Sequence, residues 1–442
     1  MEQPREPPCR QHRSPTRHGS DPPVRVLVAS KFLHHVGGVE TYIAWLARHL
    51  PTDEVELGFL GMTPPEGEDL MPDLDGPAFL TPNRDYHGSL STKLRSAATS
   101  IYSRAAAAVM DDALDRFAPD VVHFQSTCYQ LTPSVVSAVA RRDVPMVTTA
   151  HEYKFVCSNQ RLWNDGNGQP CTKCLGAGTT QRLSNVVSTK CVKGSLASSV
   201  VAAAELPVSN AVWRRAPGIV HAPSRYMAVL LEDVASPVRG RVRYLDLAWG
   251  DPVPPDRPTA SRLDVTYLGR LSTEKGVDTL VRAWPAVMKR EPAARLRLFG
   301  VGSDEDRLRE LAGDTPNIEF CGRYERADLA VILATSAMTV HPSTWAENSP
   351  YTVRESLQHS VPAIVSDQGG LPEMVGPETG TVVPAADHGA LANAILQELK
   401  FRRAGGNELE AAVRARAVSD NEHSAGLREM YADASEMVRR ES

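Results

Sequence analysis

Two charged segments in the second half of this 442-residue chain have the residue types and spacing to act on a phosphate-linked substrate. The first is Tyr267-Leu268-Gly269-Arg270-Leu271-Ser272-Thr273-Glu274-Lys275-Gly276. Gly269 closes an apolar run that reads as a strand, so Arg270 and Lys275 put two cations at the strand's C-terminal mouth. Fixed cations stabilise the negative charge that grows on a phosphate as its bond to carbon breaks. Arginine forks two phosphate oxygens, and lysine acts as a point charge. Read alone, the segment also fits a surface loop with two solvated cations, because short Gly/Lys motifs are permissive.

The second segment is Trp345-Ala346-Glu347-Asn348-Ser349-Pro350-Tyr351-Thr352-Val353-Arg354-Glu355. Ser349 suits an N-cap and Pro350 the first helical position, which predicts a helix starting there. The free N–H groups of Tyr351 and Thr352 would then attract phosphate or sugar oxygens. Glu347 and Glu355 are not three or four apart, so they cannot be neighbours on one helical face. They would meet different parts of an extended ligand. The alternative is one surface glutamate and one ordinary helical one.

A third cluster is Cys157-x13-Cys171-x2-Cys174-x16-Cys191. Four thiolates make a tetrahedral site for a structural zinc and leave no open position for catalysis. One disulfide or four unrelated free thiols fit the spacing as well. Seven cysteines in a chain of this size argue against a secreted disulfide framework. Cys9 sits in a polar tail, and Cys128 and Cys321 read as small buried residues.

These residues need elements to position them. The length suits two α/β domains. Residues 1–23 are rich in Pro, Arg, His and Ser, and read as a disordered tail or start-site extension. Strand Val24–Ala29, the turn Gly37-Gly38 and helix Glu40–Leu50 open a first doubly wound, Rossmann-like domain over 24–250. Strands at 55–60, 120–124, 145–149 and 218–221 continue it, with helices at 134–141, 196–204 and 224–231. Residues 152–195 interrupt it as a Cys-rich insertion with little periodicity. A Pro-rich linker, 251–260, leads to a second Rossmann-like domain over 261–415. The polar helix of 416–442 is expected to cross back to the first domain. Ligands of such sheets sit outside the C-terminal strand ends, so the cleft between the domains is the expected site.

A net charge of -5 gives no sign of a nucleic-acid binder. No apolar run approaches the roughly 20 residues needed to span a bilayer, and no apolar signal core is present. A cytoplasmic enzyme is the expectation. Peripheral membrane contact stays open, with Lys93, Arg95 and Arg104 better read as a solvated helix face. The sequence does not fix an oligomeric state.

Taken together, Gly269-Arg270 with Lys275, Glu347-x7-Glu355 and Gly369-Gly370-Leu371-Pro372-Glu373 resemble glycosyltransferase family 4, retaining enzymes of the GT-B fold. His341-Pro342-Ser343 and Gly322 fit the same pattern. The resemblance covers nearly all of 24–400 and is strongest over 264–384. It implies a nucleotide-diphosphate sugar as donor and a hydroxyl-bearing acceptor: a polysaccharide, a lipid-linked or a natural-product compound.

The resemblance also assigns roles. Arg270 and Lys275 would neutralise the donor diphosphate, and Glu355 would bond the ribose hydroxyls. Glu347 would meet the transferred sugar, helped by backbone around Asn348, Ser349, Pro350, Tyr351 and Thr352. Gly322 and Arg323 would lie along the nucleobase. In the first domain, Gly37 and Gly38 match the Gly-rich loop, and His151, followed by Glu152, would face the donor sugar. A lone strand-end histidine is otherwise more often structural. Anomeric configuration would be retained by front-face attack. No Asp-x-Asp metal motif faces the cleft, so no cofactor is expected for catalysis. Two other classes remain beside this one: an epimerase or hydrolase on the same fold, and a non-catalytic, zinc-stabilised sugar-nucleotide-binding protein.

Overall fold

The computed structural model describes residues 22–82, 98–128, 130–250, 253, 263–403 and 409–441. Cys9, Lys93, Arg95, nearly all of the expected tail and the expected linker apart from Val253 lie outside them.

The first sheet is built from β1 (Val24–Ser30), β2 (Val55–Met62), β3 (Ala78–Thr81), β4 (Val121–Ser126) and β5 (Met146–Thr149). A small antiparallel hairpin follows, β6 (Trp163–Asn164) and β7 (Gln169–Pro170), before β8 (Ile219–Ala222) and β9 (Val242–Tyr244) complete the sheet. Its order is β3-β2-β1-β4-β5-β8-β9, and every pairing is parallel. The second sheet holds β10 (Asp264–Leu268), β11 (Arg295–Phe299), β12 (Ile318–Gly322), β13 (Ser336–His341), β14 (Ala363–Ser366) and β15 (Gly380–Val383). Its order, β12-β11-β10-β13-β14-β15, is again parallel throughout. Runs such as Val26–Ala29 and Val265–Leu268 are buried on both faces, as parallel sheets covered by helices require. Both domains are therefore doubly wound, and the sheet order reverses beside β1 and beside β10.

The insertion is more regular than its composition suggests. Besides β6 and β7 it contains the helix Thr179–Thr189, which buries Arg182 and Val186. The helix expected over 196–204 runs on to Arg215, through Pro207. Pro207 lies on the exposed face, while Leu206 and Trp213 are buried. Trp213 packs edge-on against Phe124 and Phe155, with ring centroids 6.1 and 5.0 Å away. Tertiary packing thus carries the helix past a residue that local propensity would use to stop it.

The last helix, Asp420–Glu441, lies on the first sheet. Its Leu427, Met430, Tyr431 and Ala434 share one apolar cluster with Val26, Val28, Ile43 and Val147. Among the described residues no helix is long and apolar enough to cross a membrane.

Candidate functional site

The C-terminal ends of the two sheets face each other across a cavity of about 270 Å³. Seven of the sequence-nominated residues line it: Gly38, Gly269, Lys275, Glu347, Pro350, Tyr351 and Thr352. Gly38 comes from the first domain and the other six from the second. A Cβ on Gly38 would stand 3.6 Å from the Tyr351 ring, so the start of helix Gly38–His49 faces the tip of helix Tyr351–Gln358.

Glu347 and Lys275 meet at the cavity wall. Lys275 Nζ lies 2.6 Å from Glu347 Oε1, and the Ser343 hydroxyl donates to the same oxygen at 2.7 Å. Burial works to raise the Glu347 carboxyl, but the Lys275 charge with hydrogen bonds from Lys275 and Ser343 outweighs it. The carboxyl is held below the usual glutamate range, so it is an anion at neutral pH.

The loop carrying Glu347 is shaped by the Gly369-Gly370 turn. Gly369 has φ +62°, and a Cβ there would stand 2.0 Å from the Glu347 carbonyl oxygen. A Cβ on Gly370 would stand 2.0 Å from the Asn348 carbonyl oxygen. Only glycine permits this backbone-on-backbone approach.

Several contacts tie the same loop to the first domain. Tyr153 Oη donates to the Glu347 carbonyl at 3.0 Å. Asn348 Nδ2 donates to the Ala150 carbonyl at 2.9 Å, and its Oδ1 accepts from Ser224 at 2.7 Å. The Asn348 side chain is thus spent on the first domain, which leaves only its backbone for a ligand. Glu373 accepts from the backbone N–H groups of Arg225 and Tyr226 at 2.8 and 2.6 Å. It caps the helix Arg225–Leu231 from across the cleft.

One expected detail is corrected. The helix Tyr351–Gln358 is N-capped by Pro350 without a side-chain bond, not by Ser349. Arg354 is buried and needs acceptors, and it takes the Ser349 hydroxyl together with Asp246 Oδ1 (2.6 Å) and the Leu247 carbonyl (3.0 Å).

The remaining nominated residues do not line the cavity. Arg270 is 63% exposed at its side chain, with Glu274 3.7 Å away. Gly37 caps helix Gly38–His49, and its N–H donates to Glu40 Oε2 at 2.8 Å. Gly322 ends β12 and accepts from Gly300 N at 2.7 Å, with Arg323 just beyond. Burial raises the Glu355 carboxyl, partly offset by Arg326. Burial and the charge of Glu355 push the Tyr324 hydroxyl up to about 12, so Glu355 and the 321–324 segment are close neighbours.

His151 packs edge-on against Tyr42, ring centroids 5.3 Å apart, and its Nε2 lies 2.8 Å from Gln125 Oε1. Gln125 Oε1 can only accept, so Nε2 carries the proton. Burial, with the neighbouring His221, drives His151 down to about 3. It is a neutral imidazole at any ordinary pH.

The four insertion cysteines line one small cavity of about 20 Å³, together with Leu162, Trp163 and Val186. All four are free thiols, so no disulfide joins them. Burial, reinforced by the other thiols, pushes Cys174 and Cys191 up to about 11. Among the described residues, no group of three His, Cys, Asp or Glu side chains stands arranged to hold a metal ion. Cys128 is buried as expected, but Cys321 is only half-buried because β12 is an edge strand.

Tyr153, Ser343, Arg354 and Glu373 were not singled out from the sequence as site residues. Ser343 and Glu373 sit inside quoted motifs, which was a usable signal. Arg354 also sits inside a quoted segment, but its partners Asp246 and Leu247 are distant in the chain, and nothing local marks Tyr153.

Residues 262–400 match the family model described as glycosyl transferases group 1, and residues 36–168 match that for glycosyltransferase family 4. Together the two matches span more than half of the chain. A GDP-mannose-dependent monoacylated alpha-(1-6)-phosphatidylinositol monomannoside mannosyltransferase of Corynebacterium glutamicum is 34% identical over 137 residues, 29% of this chain and 36% of that protein. A glycogen synthase of Mycobacterium tuberculosis is 29% identical over 168 residues, 37% of this chain and 40% of that protein. The matched stretch is thus little more than a third of these relatives' length. Sucrose-phosphate synthase of Thermosynechococcus elongatus superposes with a TM-score of 0.65 at 18% identity, over 93% of this chain and 98% of that one. The Anabaena protein HepE in complex with UDP and glucose gives 0.61 at 16%, over 92% and 99%. At such identities these likenesses show the fold.

Proposed function

From the premise that the chain belongs to the group 1, family 4 glycosyltransferases, we propose that it transfers a sugar from a nucleotide-diphosphate donor to a hydroxyl acceptor with retained anomeric configuration. The observation that carries this reading is the interdomain cavity, with Lys275 and the Tyr351–Thr352 helix tip on one wall and Gly38 on the other. A diphosphate there meets a cation and free helical N–H groups together. Arg270, exposed at the rim, adds the second positive charge. Glu355, beside Tyr324, takes the ribose while the 321–324 segment lies along the base. Glu347 bonds sugar hydroxyls through the carboxylate oxygen that Lys275 leaves free. Neutral His151 orients the sugar from the first domain.

The bond from the anomeric carbon to the phosphate oxygen breaks, and the acceptor oxygen bonds that carbon from the same face. The acceptor proton passes to the departing phosphate, whose charge Arg270 and Lys275 stabilise. Catalysis then rests on positioning and electrostatics, with no side-chain base. The test is incubation with UDP-, GDP-, ADP- and dTDP-sugars and a panel of hydroxyl acceptors, followed by product NMR. Released nucleoside diphosphate and a product of retained configuration are expected. An inverted product, or no turnover of any donor, contradicts the reading.

The same reading includes a structural zinc on Cys157, Cys171, Cys174 and Cys191. Support comes from the cavity the four thiols share and from the suitability of a four-sulfur donor set. Among the described residues these thiols do not stand arranged as a metal site. Metal analysis of the purified chain is expected to give one zinc per molecule, and a metal-free preparation that folds normally contradicts it.

A further inference from the structure

Arg161 lies in the Cys-rich insertion, far in sequence from the donor motifs, yet it reaches them. Its neighbours Gln160 and Leu162 have φ of +67° and +49°. Non-glycine residues adopt such angles only where the surroundings hold them. Here Gln160 accepts from Tyr153 N at 2.9 Å and Leu162 accepts from Cys171 N at 2.8 Å. The turn so held presents the guanidinium of Arg161 to the second domain.

There, Arg161 Nη2 donates to Glu274 Oε1 at 2.5 Å, while Nη1 lies 3.2 Å from Asp165. The guanidinium stands 5.3 Å from the Trp345 ring, the same distance as Lys275 Nζ. Glu274 lies in the loop between Arg270 and Lys275, and its side chain is only 10% exposed. The oxygen that Arg161 bonds is also the one 3.7 Å from Arg270. One nearly buried carboxylate is therefore shared by a cation from each domain. With Arg161 in place, the charge of Glu274 is met by the first domain and Arg270 stays extended into solvent. Without it, Glu274 would draw in Arg270 and take that charge away from the diphosphate.

We propose that Arg161 is a positioning residue for the donor: it neutralises Glu274, which keeps Arg270 and Lys275 available to the diphosphate. The Cys-rich insertion thereby becomes part of the donor site, because its folded turn delivers this charge. The inference rests on the donor-site reading given under Proposed function.

The experiment uses the full chain and whichever nucleoside diphosphate the wild type binds. Dissociation constants are measured for wild type, Arg161→Ala, Arg161→Gln and the double variant Arg161→Ala/Glu274→Gln. Either single variant is expected to bind on the order of tenfold more weakly, the usual scale for a lost charge-assisted bond. Donor KM should rise with it, while acceptor KM should not. Removing the competing charge in the double variant should restore most of the affinity. Unchanged affinity in both single variants overturns the proposal, and so does a double variant no better than Arg161→Ala. A wild type that binds no nucleoside diphosphate overturns the donor-site reading itself and this inference with it.

Discussion

Lys275 and Glu347 hold each other in a setting where neither charge is comfortable alone. Glu347 is 9% exposed at its side chain and Lys275 21%, and the pair is 2.6 Å apart. Breaking a pair of this kind from one side leaves a buried charge without compensation. Lys275→Met should therefore lower unfolding stability by about 3 kcal/mol, the lower end of the range for such pairs because Ser343 still bonds the carboxylate. Urea unfolding checks this, and an unshifted midpoint would show that the pair is weaker than its geometry implies. Both residues were legible in the sequence, because each sits in a motif whose spacing has a chemical reason. Their supports were less so. Tyr153 bonds the Glu347 carbonyl across a separation of 194 residues, which no local pattern can signal.

Among the elements, the strand ends and helix tips carry most of the placement. The alternation of strand, loop and helix was readable, because apolar runs bounded by glycine and proline mark it. The cap of helix Tyr351–Gln358 was not, because buried Arg354 competes for the Ser349 hydroxyl that would have capped it. The helix Thr179–Thr189 was missed because its buried face is only Arg182 and Val186, too little for an apolar period. The Gly369-Gly370 turn gives the element-scale prediction. In Gly370→Ala the added Cβ meets the Asn348 carbonyl, which is backbone and cannot swing away. The loop that holds Glu347 must then move. Gly370→Ala should lower the melting temperature and weaken nucleoside diphosphate binding together. A variant that melts and binds like wild type would show that the turn does not set the loop.

At the scale of the whole molecule, a buried histidine network joins the last helix to the first sheet. His221 Nε2 donates to the Leu245 carbonyl at 2.7 Å, so its Nδ1 accepts from Thr149. Thr149 in turn accepts from His123 Nε2, whose Nδ1 accepts from Tyr431. His423 donates from Nδ1 to the Asp246 carbonyl and accepts from Tyr42. Burial depresses all three imidazoles, with His221 brought down to about 4. His151 is brought to about 3, and His341, beside the donor cavity, to about 4. All five are neutral in the fold.

An unfolded histidine takes up a proton near pH 6.5. The stability from these groups is therefore full above that pH and is lost as pH falls toward the folded values. Glu40 and Glu355, both raised by burial, act in the opposite sense, but they are two against five. The melting temperature should hold nearly level from pH 7.5 to about 6.5 and then fall toward pH 5. Each uncompensated histidine contributes about 1.4 kcal/mol per pH unit at full slope. A flat profile would mean that the network is not closed as described. From the sequence the crossing of the last helix could be anticipated, but the network could not, because its members come from five separate elements and the loop after β9.

The claim on which the rest depends is that a nucleotide diphosphate sits against Lys275 between the two domains. Isothermal titration of UDP, GDP, ADP and dTDP into the full chain, wild type and Lys275→Met, tests it most directly. One of the four should bind wild type at one site per chain, and Lys275→Met should weaken that binding by on the order of 100-fold. Binding of none of the four, or equal binding to both proteins, would contradict the account.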